Sequence, residues 1–100
     1  GVQRIPAADV ILLRADSKYV EVWHPGGMAL TEESLRGIEE RLAGLFLRVH
    51  RNALVAADKA RALRRGAEGQ LLLSLHGTGE SVEVSRRHVP EVRRLLRSQD

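Results

Sequence analysis

The segment Tyr19-Val20-Glu21-Val22-Trp23-His24 alternates strictly. Val20 and Val22 face one way; Tyr19, Glu21 and Trp23 face the other. A period of two is the mark of a strand with one face in a core. Pro25-Gly26-Gly27 stops it with a turn, and Asp16-Ser17-Lys18 precedes it with another. The same grammar of short apolar run and tight turn recurs along the chain. Val10 to Ala15 reads as a strand, as does Met28 to Leu30. Ala62 to Arg65 and Gln70 to His76 flank Gly66-Ala67-Glu68-Gly69, and Ser81 to Ser85 follows Gly77-Thr78-Gly79 with Val82 and Val84 inward. Hairpins are the simplest account. Ala56 to Ala60 is compatible with either a helical turn or coil.

Two segments break the pattern. Leu35, Ile38, Leu42 and Leu45 recur at three, four and three residues, one apolar stripe of a helix. Thr31 is the expected cap, Glu32 and Glu33 the first turn, Leu30 and Leu35 the staple, and Gly44 the end. Gly37 inside a helix costs about 1 kcal/mol and suggests a close contact. The second helix begins near Val89, with Val89, Val92, Leu95 and Leu96 toward the core. Pro90 belongs in its first turn, so Ser85 to His88 form a separate turn leading in. The expected fold is mainly β: antiparallel sheets of short strands, one mid-chain helix and a short C-terminal helix.

With 100 residues, there is material for one core, and residues 1–100 read as a single domain. No apolar run approaches 18 residues, so no membrane helix is expected. There is no cysteine, which excludes disulfides, thiolate nucleophiles and cysteine zinc sites. His24, His50, His76 and His88 form no metal-binding spacing, and Ser85 has no glycine elbow. We therefore expect no enzyme activity, no metal and no cofactor. Nothing resembles a signal peptide, and a cytoplasmic protein is expected. The chain begins at Gly1 rather than Met, which we read as a fragment of a longer protein or a processed one.

Charge distribution says more than the net +3. Fourteen of the sixteen basic residues are Arg, a bias that a GC-rich genome and phosphate or guanine recognition explain equally well. Acids gather between Thr31 and Leu42. Bases gather from Arg48 to Arg65 and from Ser85 to Arg97. Segregation of this kind suits a polyanionic partner. Arg48, His50, Arg51 and Asn52 stand at the end of an expected strand and in the loop after it. Arg86, Arg87 and His88 form a second basic corner, Lys18 and Tyr19 a third. Arg suits guanine and Asn suits adenine in the major groove. The other reading is a non-catalytic interaction module whose basic corners dock an acidic protein. Stacking on single strands needs more aromatics than one Phe, one Tyr and one Trp. Trp23 is expected to pack against a second sheet; Tyr19 is left open between reading a base and packing.

Three stretches carry a resemblance that spans nearly the whole chain. They are Ala15-Asp16-Ser17-Lys18-Tyr19-Val20-Glu21-Val22, Phe46-Leu47-Arg48-Val49-His50-Arg51-Asn52-Ala53-Leu54-Val55 and Val84-Ser85-Arg86-Arg87-His88-Val89. In order and spacing they resemble the LytTR family, the DNA-binding output domain of bacterial response regulators of the LytR/AlgR type. The wording from Arg51 to Val55 and from Val84 to Val89 looks especially like the alginate regulators of pseudomonads. The resemblance implies about ten short antiparallel strands and duplex DNA binding through loops in successive major grooves. By motif position it implies base reading at Tyr19, Arg51 and Arg87. Lys18, Arg48, His50, Asn52, Arg86 and His88 would hold the DNA backbone or support the loops; Arg94 on the last helix is added to them as a phosphate candidate from its charge, not from the resemblance. The resemblance further implies repeated half-sites, a second copy of the domain on DNA, an N-terminal receiver domain in the full protein, and a role in transcription regulation within a two-component system.

Overall fold

In the computed structural model, which describes residues 4–99, β1 (Leu12–Asp16) and β2 (Tyr19–His24) pair antiparallel, with Leu13 opposite Val22 and Asp16 opposite Tyr19. The turn between them holds Ser17 at φ 37°, a left-handed conformation uncommon outside glycine. β3 (Gly27–Thr31) returns along β2 after the two-residue turn Pro25-Gly26. β4 (Phe46–His50) and β5 (Ala53–Ala56) form a second hairpin. β5 pairs with β1, giving a five-stranded antiparallel sheet in the order β3-β2-β1-β5-β4. β6 (Ala60–Arg65), β7 (Leu71–Leu75) and β8 (Ser81–Val84) make a second, three-stranded antiparallel sheet. α1 (Leu35–Arg41) and α2 (Val89–Arg97) complete the fold. The described residues thus hold eight strands against the ten or so expected, and the mainly β architecture with one mid-chain and one C-terminal helix is as expected.

The larger sheet is covered on both faces. On one side Leu13, Val20 and Leu54 pack with Leu35 and Ile38 of α1. On the other, Leu12, Val49, Ala53 and Val55 pack with Leu73, Leu75, Val82 and Val84 of the smaller sheet and Val92 of α2. Successive residues of a strand point to opposite faces. A strand covered twice therefore reads as continuously apolar, as Ala53-Leu54-Val55 of β5 does. Trp23 takes the expected place beside the core facing the second sheet. Its indole N–H donates to Glu21 at 3.0 Å, and the Arg14 guanidinium lies 5.7 Å from its ring centre.

The helix start differs from expectation. Ser34, not Thr31, caps α1: its Oγ accepts the Gly37 N–H at 3.0 Å. Thr31 is held in β3 opposite Val20, so its backbone is committed to the sheet. Its hydroxyl accepts from the Glu33 N–H instead, and Glu32 and Glu33 precede the helix. α1 ends at Arg41, which leaves Leu45 half-exposed and off the stripe. Leu30 is 57% exposed, so the expected staple does not form. A Cβ on Gly37 would lie 3.1 Å from the capping oxygen, which explains a glycine within the first turn. The ambiguous Ala56–Ala60 stretch contains a single 3₁₀ turn, Ala57–Lys59. Another, Arg86–His88, leads into α2 with Pro90 in its first turn, as expected.

Candidate nucleic-acid interface

The β1–β2 turn, the β4–β5 turn and the 3₁₀ turn before α2 are distant in sequence, and the fold ties them to one another. The Ala15 N–H donates to the Asn52 carbonyl at 2.8 Å, joining the end of β1 to the second turn. The Ser85 N–H donates to the Val49 carbonyl at 2.9 Å, joining β4 to the third. Three basic corners thereby become one edge of the molecule on a β scaffold, the arrangement a loop-based reader needs.

Within that edge the candidate residues divide by what they touch. Arg51, Asn52, Arg86, Arg87, Lys18 and Arg94 are exposed. Among the described residues no carboxylate lies within salt-bridge distance of Lys18, Arg51, Arg86, Arg87 or Arg94. Arg48 is different. Its Nη2 donates to Glu39 of α1 at 2.8 Å and its Nη1 to the Arg51 carbonyl at 2.7 Å. Its side chain lies against α1, and is only partly exposed there. His50 accepts the Asn52 N–H on Nδ1 at 3.2 Å. A bulge between Arg48 and His50 shifts the β4–β5 register and re-aims this turn.

Arg51 and Arg87 line the same groove, with Arg48, His88, Glu39 and Glu91 around it. Asn52 and His50 line a neighbouring one with Arg14 and Glu83. Arg86 turns to the other side of its 3₁₀ turn and shares a groove with Arg65 and Gln70. Arg94 sits further along α2, in a groove with Glu91 and Leu47. Tyr19 is 39% exposed at the first corner, neither buried nor packed into either core.

The electrostatics follow the contacts. Burial disfavours protonation of His88, the Arg87, Arg48 and His50 charges add to this, and Glu91 opposes it, so its pKa lies below the ordinary histidine value. Arg87 Nε is 3.4 Å from His88 Nε2, consistent with a neutral imidazole accepting there. The hydrogen bond from Arg48 holds the Glu39 carboxyl below its ordinary range, against a smaller opposing effect of burial.

Two features escaped the sequence reading. The glutamates in and just before α1 look like a solvated face, and among the described residues Glu33 and Glu40 pair with Arg41 and Arg36 of the same region. Glu39, by contrast, reaches across to β4. Arg14 is the one charged residue in the apolar run from Val10 to Ala15. It bridges Glu21 at 3.2 Å and Glu80 at 2.7 Å, linking the two sheets. Neither pairing has a sequence signal, since the partners lie 9 and 66 residues apart. No group of three or more metal-ligating side chains converges among the described residues. No helix there is long and apolar enough to cross a membrane.

Comparison with known proteins adds three findings. The family model "LytTr DNA-binding domain" matches residues 1–97. The chain is 43% identical over 97 residues to the Positive alginate biosynthesis regulatory protein of Pseudomonas aeruginosa, covering 96% of this chain and 39% of that protein. It is 38% identical over 93 residues to the CO-responsive transcriptional regulator RcoM of Rhodospirillum rubrum, covering 92% of this chain and again 39% of the relative. The chain thus spans well under half the length of the curated relatives it matches. Among solved structures, a LytTr DNA-binding domain from Bacillus cereus superposes with a TM-score of 0.76 at 29% identity, over 92% of this chain and 84% of that one.

Proposed function

The chain belongs to the LytTr DNA-binding domain family, and from that premise we propose that it binds double-stranded DNA sequence-specifically through its three tied turns. The observation that carries this is a single edge bearing Lys18, Arg51 and Arg87, with Arg86 on the far side of the third turn, all exposed and with no carboxylate partner among the described residues. On this reading Lys18, Asn52, Arg86 and Arg94 hold phosphates, a salt-dependent contribution largely independent of sequence. Arg51 and Arg87 enter the major groove, where a guanidinium can donate to guanine O6 and N7 together. Tyr19 offers an aromatic edge at the first corner, suited to a thymine methyl or the sugar-phosphate wall. Arg48, His50 and His88 already have partners within the protein and act as supports. On this reading the turns, not a recognition helix, enter the grooves of the DNA.

The protein of which this is a part would be a transcription regulator. The names of both curated relatives, a regulatory protein and a transcriptional regulator, support that. Repeated half-sites, two copies of the domain side by side on DNA and an upstream receiver domain belong to the same proposal. Selection of bound sequences from a pool of random duplexes at about 150 mM salt tests it. We expect enrichment of a short repeated motif and loss of binding when that motif is scrambled. Failure to enrich any motif with folded protein would overturn the reading and favour the docking of an acidic protein on the same edge.

A further inference from the structure

The β4–β5 turn is held by three hydrogen bonds, and the one from a side chain of β4 to the Arg51 carbonyl begins on α1. Glu39 Oε1 accepts from Arg48 Nη2 at 2.8 Å, and Arg48 Nη1 donates to the Arg51 carbonyl at 2.7 Å. The other two, Asn52 N–H to His50 and Ala15 N–H to the Asn52 carbonyl, fix the residue after Arg51. We propose that Glu39 is a positioning residue for DNA reading: through Arg48 it fixes the backbone from which the Arg51 side chain projects, and it keeps Arg48 from serving as a phosphate contact. This rests on the DNA-binding reading above.

The chemistry favours this division of labour. A guanidinium presents donors in a fixed fork. With one nitrogen on a carboxylate and another on a carbonyl, Arg48 is pinned at two points, and its side chain is only 22% exposed. Remove the carboxylate, and a cation remains beside a groove lined by the guanidinium groups of Arg51 and Arg87, with Glu91 as the remaining acid of that lining. Repulsion from the two guanidinium groups would free it toward any phosphate at hand, and the Arg51 carbonyl would lose its pinned donor. A rigidly held reader discriminates between bases, whereas a mobile cation binds any backbone.

The test compares Glu39→Gln with Glu40→Gln, both on α1 and both removing one negative charge. Glu40 is exposed, and among the described residues it pairs with Arg36 alone. For each protein, binding is measured to the selected duplex and to its scrambled version across a range of salt. Neutralising either glutamate should tighten binding to scrambled DNA slightly. In Glu39→Gln, the ratio of specific to scrambled affinity should fall by roughly three- to tenfold, as expected for a lost charge-assisted hydrogen bond. The slope of log affinity on log salt should steepen by up to about 0.9 as Arg48 gains a phosphate. In Glu40→Gln, the ratio and slope should match wild type. Equal ratios and slopes in the two variants, on a wild type that does discriminate, would overturn the positioning role alone. A wild type that fails to discriminate would overturn the DNA reading and this inference with it. Thermal unfolding of each variant separates a local from a global effect: a ratio change that simply tracked loss of folded protein would also count against the proposal.

Discussion

Arg51 and Arg87 carry the same charge as Arg48 and differ from it in one respect that matters: neither has a carboxylate partner among the described residues. Each replaced by Ala should cost about 1–3 kcal/mol in binding to the selected duplex, with a much smaller loss on scrambled DNA. Competition binding with the two duplexes measures the difference, and equal losses would remove both residues from base reading. His88 gives a second prediction at this scale. Its folded pKa lies below the ordinary value because of burial and the neighbouring Arg87, Arg48 and His50. The unfolded chain therefore takes up this proton first. The stabilisation is complete above the ordinary histidine range and is lost as pH falls through the lowered folded value. DNA phosphates near the groove would act in the opposite sense and favour the imidazolium. Lowering the pH from about 8 to about 6 should then weaken folding slightly and strengthen DNA binding, with proton uptake on complex formation. In His88→Gln, both trends should flatten, as shown by titration of affinity and of unfolding midpoint against pH.

An element inherits its limits from its neighbours. α1 could in principle start at Thr31, which has the right side chain and acids behind it. Pairing of Thr31 with Val20 in the sheet postpones the start to Ser34. Ser34→Ala should destabilise the domain by about 1 kcal/mol, within the usual range for a lost cap. Thr31→Ala should cost less, since that hydroxyl supports only the loop before the helix. Thermal unfolding of the pair decides which residue is the cap. α2 was easier to place from sequence. Pro90 permits only a first-turn position, and the apolar residues Val89, Val92, Leu95 and Leu96 fall on the core side as the period requires. The hairpins were legible for a similar reason: their ends are set by local turn chemistry such as Pro25-Gly26, close to the residues that alternate.

The whole molecule turns three local basic corners into one edge, and that is where its DNA affinity should be set. Lys18→Ala and Arg86→Ala should each lower the slope of log affinity on log salt by about 0.9 if each meets one phosphate. Arg94→Ala should reduce specific and scrambled binding equally. Fluorescence anisotropy over a salt series reports both. A residue whose removal leaves the slope unchanged lies off the DNA. The same view accounts for what the basic stretch from Arg48 to Arg65 conceals. Arg51 belongs to the edge, whereas Arg64 and Arg65 on β6 bond to Ser81 of β8 and to the Gly69 carbonyl in the β6–β7 turn.

Short-range physics therefore settled much of this protein in its sequence. Alternation in β2, the Pro-Gly turns, the stripe in α1 and the position of Pro90 depend on residues within a few places of one another. They determined the class of fold, its elements and the three corners on which exposed Arg and Lys stand. Family resemblance rested on the same local blocks. Tertiary structure decided which cations stay available. Arg48 and Arg51 look alike in the sequence, and only the packing of α1 over the larger sheet brings Glu39 within 2.8 Å of one of them. The union of the corners was likewise decided by backbone bonds across 37 residues, Ala15 to Asn52, and 36, Ser85 to Val49. A hydrogen bond of this kind exists only once distant segments have been placed by the two cores, because its geometry tolerates a few tenths of an ångström and no local pattern encodes it.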